Sequence, residues 1–77
     1  MECDDQKIDE MVLALLYLTS FTDHGFVRAW KGHDWDALNR LHEKGLISDP
    51  KNKNKSVVLS EEGARKSEEL FLRFFGR

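Results

Sequence analysis

From Ile8 onward, apolar side chains fall at positions 8, 11, 12, 15, 16 and 18, and Leu13 and Tyr17 widen that stripe to most of a helix circumference. The spacing predicts a largely buried helix. Asp4 and Asp5 stand where an N-cap is needed, and the acids after them suit the positive end of the helix dipole. The helix should stop near Ser20, because Thr19, Ser20, Thr22, Asp23 and Gly25 make a loop composition. Phe26 to Lys31, with Phe26, Val27, Ala29 and Trp30, reads as a brief second helix with Gly32 as its C′ residue. Asp34 caps a third helix, in which Trp35, Leu38 and Leu41 recur every third residue and Gly45 is the stop. The outward face of that helix carries Asp36, Asn39, Arg40 and Glu43.

Past Ile47 the period changes. Ser48-Asp49-Pro50 is turn chemistry, residues 51–55 hold no apolar side chain, and Val57-Val58-Leu59 is short and β-branched, so the segment predicts a hairpin with a basic tip. Ser60 then caps a last helix with Glu61 and Glu62 in its first turn. Ala64, Ser67, Leu70, Phe71, Phe74 and Phe75 form its stripe. The expected order is α-α-α-β-β-α, a mainly α domain with a small β hairpin spanning residues 1–77. A Gly-containing turn between the second and third helices is the helix-turn-helix connection. Trp30 would close one of those helices and Trp35 open the next, so that both wedge the corner.

Charge sharpens this outline more than bulk composition does. The chain is 77 residues long with a net charge of −2. Residues 1–10 hold five acids against Lys7, whereas residues 28–55 hold seven Lys and Arg against four acids, a surplus of three. Lys51, Lys53 and Lys55 on the hairpin tip could neutralise phosphates without reading bases. Charge on an exposed hairpin also serves solubility and blocks edge pairing. The longest apolar run, Met11 to Leu18, is far short of the roughly 20 residues a spanning helix needs. The N-terminus is acidic where an export signal would be basic. Together with Cys3 as the single cysteine, these features predict a cytoplasmic protein without a disulfide and without a membrane partner.

Candidate chemistry is sparse. His24, His33 and His42 are spaced by nine, which fits neither one helical turn nor tight zinc patterns, so no metal or other cofactor is expected. His42 reads as a half-covered flank of the third helix. Cys3 has no fixed partner near it, Ser60 is used as a cap, and the pairs Glu61-Glu62 and Glu68-Glu69 lie opposite an apolar face as solvated charge. No phosphate loop is present, and an enzyme is not expected. Leu70, Phe71, Phe74 and Phe75, with Leu72, hold more apolar surface than one face of a terminal helix buries. They could pack onto Leu13, Leu16 and Tyr17, or serve as a homodimer seam or a surface for a protein partner.

At "LNRLHEKGLI", followed ten residues on by "VVLSEEG", the chain resembles winged-helix transcription regulators of the MarR and PadR kinds over roughly Trp35 to Leu70. Those families end the third helix in a similar Glu-Lys-Gly-Leu-Ile phrase and form the wing from the hairpin. More closely, "AWKGHDWDALNRLHEKGLISDP" with "KSVVLSEEG" resembles a small bacterial family of unknown function across nearly the whole chain. The winged-helix resemblance implies DNA contact by the third helix and the wing, here Asn39, Arg40 and Lys44, then Lys51, Lys53 and Lys55. Asp34, Asp36 and Glu43 interleave with that face. Two functions are therefore expected to compete. One is a nucleic-acid-binding or transcription-regulatory domain; the other is a protein-interaction or dimerisation module that uses the terminal helix or the Trp30/Trp35 corner.

Overall fold

In the computed structural model, which describes residues 1–77, Asp4 accepts a hydrogen bond from Lys7 N at 3.2 Å and opens α1 (Asp5–Leu18). Two further caps do the same downstream. Asp34 accepts from Ala37 N at 3.1 Å to open α2 (Trp35–Glu43), and Ser60 Oγ accepts from Gly63 N at 3.0 Å to open α3 (Glu61–Phe75). Each satisfies one of the amides that a helix start leaves without an internal partner. The helix α2 stops where glycine permits it. Gly45 has φ +75°, its N–H donates to His42 O at 2.9 Å, and Leu46 N donates to Leu41 O at 3.0 Å. This is the Schellman arrangement, and it turns Leu46 and Ile47 back into the core.

Between α1 and α2 the chain makes a hairpin, β1 (Ser20–Asp23) and β2 (Phe26–Trp30), joined by His24 and Gly25 at φ +50° and +81°. Positive φ at both turn residues is the type I′ pattern, whose twist matches that of the flanking strands. A third antiparallel strand, β3 (Ser56–Val58), adds to β2, giving the order β1-β2-β3 with Ala29 opposite both Ser20 and Val57. The inward face of the sheet carries Val27, Ala29, Val57 and, beyond the strand, Leu59. These meet Leu13, Leu16, Leu38, Leu41 and Leu70 in one core.

The sheet thus lies against a three-helix layer in which α1 packs chiefly on α3 and, less extensively, on α2. Gly63 sits where α3 crosses the carbonyl of Leu46; a Cβ there would collide with that oxygen, which explains the glycine in "LSEEG".

Four expectations are corrected. Phe26 to Lys31 is strand and its flank rather than a second helix, because Val27 and Ala29 alternate with Phe26, Arg28 and Trp30 at the period of a sheet. Gly32 therefore caps no helix. The order is α-β-β-α-β-α, not the expected α-α-α-β-β-α, so a strand and not a helix directly precedes α2 and no helix-turn-helix is completed. Trp30 and Trp35, expected to wedge a buried corner, are 52% and 55% exposed. The predicted wing is not a regular hairpin either. Its base is one bridge, Ile47 with Leu59, braced by Ser48 N donating to Val58 O at 2.8 Å, and the lysines lie in the loop above it.

Candidate functional site

Alternation along β2 sends every second side chain away from the helices. Phe26, Arg28 and Trp30 share that outer face with Phe21, opposite Arg28, and with Val58 and Ser56 from β3. Phe21 and Trp30 form a diagonal pair with ring centroids 5.1 Å apart and planes inclined at 36°. Arg28 reaches along the face and its Nε donates to Ser56 Oγ at 2.9 Å, with no partner for its two terminal nitrogens. Phe26 is 59% exposed. Asp23, the register partner of Phe26, shares this face, so three aromatic rings, one guanidinium and one carboxylate line it, with Phe26 and Trp30 the most exposed of the rings.

The lysine loop leaves the same end of the sheet as Trp30. Lys31 N donates to Lys55 O at 3.2 Å, and Trp30 is the register partner of Ser56. Lys31 then shapes the loop from within: its Nζ donates to Pro50 O at 2.8 Å and to Asn52 O at 3.0 Å, and it stands 6.0 Å from the Trp35 ring centroid. Asp49 Oδ1 and Asn52 Oδ1 accept from Lys51 N and Asn54 N, closing two local turns. Lys51, Lys53 and Lys55 are exposed, and none is in an ion pair.

The cations expected on the third helix are placed otherwise. Arg40 grips Asp9 of α1 with Nε and Nη2, the three contacts measuring 2.8 to 3.0 Å. Asp9 is only 2% exposed, and Lys44 Nζ also reaches it at 3.4 Å. The hydrogen bond to Asp9 holds the Arg40 guanidinium even more firmly protonated than an ordinary arginine. Asn39 is partly buried on the same helix. The structure therefore separates the six proposed contacts into two places: Asn39, Arg40 and Lys44 lie on α2 or at its end, the last two bracing it on α1, and the three loop lysines stand beside the open sheet.

The terminal helix also divides. Leu70 is buried, Phe71 is half-buried with its ring centroid 5.2 Å from that of Tyr17, and Phe75 stacks on Phe71 at 5.3 Å. Leu72, Phe74 and Phe75 remain 43% to 56% exposed. The histidines lie apart. His24 is in the hairpin turn with Nδ1 2.7 Å from Asp23, and His33 is partly buried before α2, its pKa lowered by that burial. His42, expected half covered, is exposed, with Nδ1 3.0 Å from Ile47 O.

Reading Phe26 to Lys31 as helix concealed the outer face entirely. A signal was present in Phe21-Thr22 and Phe26-Val27, two short β-prone runs flanking a Gly turn.

The family model described as "Domain of unknown function (DUF6429)" matches residues 4–77. The chain is similar, at 60% identity over the full length of both, to "Uncharacterized protein y4hR" of Sinorhizobium fredii (strain NBRC 101917 / NGR234). No solved structure matches it.

Proposed function

The chain belongs to the DUF6429 family, a domain of unknown function, and we propose from its geometry that it binds nucleic acid through the lysine loop and the adjoining outer face of the sheet. The supporting observation is the segregation of charge. Residues 20–31 and 48–58, which make the sheet and loop, carry five cations (Arg28, Lys31, Lys51, Lys53, Lys55) against Asp23 and Asp49. That is a surplus of three in a chain of net −2, so the rest of the molecule carries −5. A polyanion is drawn to the one face and repelled by the other. The sheet side is favoured over α2, whose Arg40 is committed to Asp9.

Phosphate neutralisation releases counterions, so affinity must fall steeply as salt rises. Replacing Lys51, Lys53 and Lys55 together with serine should reduce the slope of log affinity against log salt by about 2 to 3, as read by fluorescence anisotropy of a labelled mixed-sequence oligonucleotide. An unchanged slope in that variant refutes the loop's role. Such binding would suit a transcription-regulatory role.

A second reading rests on Leu72, Phe74 and Phe75, three exposed apolar side chains at the end of α3 that suit a protein contact or a dimer. Light scattering of the wild type against Phe74→Asp examines it: a dimer that dissociates in the variant supports it, and a monomer in both removes the homodimer.

A further inference from the structure

We infer that the outer face of the sheet takes unpaired bases, making the ligand single-stranded nucleic acid in preference to duplex. The inference rests on the nucleic-acid reading above and adds the form of the ligand. Lysines alone do not discriminate between single and double strands, because both present phosphates. Aromatic rings do, since a base paired inside a duplex offers no free face, whereas an unstacked one can lie on Trp, Phe or an Arg plane.

The geometry suits that use. Trp30 and Phe26 stand four residues apart on one strand, about 13 Å at the rise of an extended chain, and their side chains leave the same face. Arg28 lies between them, anchored to Ser56 through Nε, with its terminal nitrogens free for a phosphate or a base edge. Phe21 backs Trp30 at 5.1 Å, which holds the indole against the sheet while it stays about half exposed. The free lysines begin one residue before Ser56, the register partner of Trp30. A strand whose bases stack on Trp30 therefore carries its phosphates toward Lys55 and Lys53. A patch evolved only for an apolar protein partner has no need of an adjacent row of unpaired lysines, and depletion of lysine is the usual composition of such contacts.

A Trp35→Phe background leaves Trp30 as the single indole, so fluorescence reports the site directly. Oligo(dT), oligo(rU) and a DNA hairpin of equal length, its stem closed by a non-nucleotide linker so that it holds no unpaired base, are titrated into it at low salt. Quenching by both single strands, with affinity at least about tenfold above that for the hairpin, is the expected result. The two homopolymer arms distinguish DNA from RNA as the preferred source of unpaired bases. Trp30→Ala in the wild-type chain should weaken single-strand binding about tenfold, followed by anisotropy, and weaken the hairpin binding far less. Trp30→Phe, which keeps a ring, should retain most of the affinity. Phe26→Ala provides the same comparison at a second exposed site should Trp30→Ala melt early by circular dichroism. A hairpin bound as tightly as the single strands overturns the inference while the nucleic-acid reading stands. Absence of binding to all three probes, in the presence of a folded protein, overturns both.

Discussion

Two groups of cations, close in sequence and alike in composition, end in opposite circumstances. Arg40 and Lys44 converge on Asp9, a carboxylate almost wholly removed from water, and tie α2 to α1 across 31 and 35 residues of chain. Lys51, Lys53 and Lys55 point from a loop into solvent with nothing of their own chain to neutralise them. The contrast teaches that a basic residue's availability is set by what the fold places opposite it. A buried carboxylate left alone is costly, so its guanidinium partner is held in place. A solvated lysine has no such obligation and can meet a ligand.

The largest expected effect breaks the first group. Arg40→Leu leaves Asp9 buried with only the longer contact to Lys44, and the midpoint of thermal unfolding should fall by more than about 10 °C by circular dichroism. A fall of only a degree or two would mean that Asp9 is hydrated and that the two groups are not distinct. For the second group the expectation is reversed. The Lys51, Lys53 and Lys55 triple serine variant should melt within about 2 °C of the wild type while its binding loses salt dependence, because exposed side chains far from caps and core barely affect stability.

The smallest effect concerns pH. Partial burial lowers the pKa of His33 below its ordinary 6.5, so the unfolded chain takes up a proton at a higher pH than the folded one. The contribution of neutral His33 to stability is complete above pH 6.5, declines as pH falls through that value, and levels off below the folded pKa. His33→Gln should therefore flatten the denaturation midpoint between pH 7 and pH 5 by a small amount. An unaltered profile would place that acid sensitivity elsewhere.

Much of the helical layer is legible in the sequence. The caps at Asp4, Asp34 and Ser60 and the stop at Gly45 each depend on contacts within a few residues, and local composition predicts such contacts well. The site was legible only in part. The lysine loop stood out by charge and the aromatic end of α3 by excess, but the stacked face did not, because Phe26 to Trp30 was assigned the wrong period. His24-Gly25 is a less familiar type I′ pair than Asn-Gly, and a five-residue run offers few repeats from which to tell 3.6 from 2.

What the chain determined by itself was therefore the boundaries of α1, α2 and α3, the turn chemistry around Pro50 and the asymmetry of charge. All are short-range consequences of side-chain hydrogen bonding, backbone freedom and composition. Tertiary structure decided that the local β1–β2 hairpin becomes a three-stranded sheet, because Ser56 to Val58, the second partner of Phe26 to Trp30, lies almost thirty residues away, and a two-stranded hairpin alone is marginal in water. It decided as well that Arg40 is a brace and Lys53 is free, since a charge takes its role from whichever group the folded backbone brings within a few ångströms.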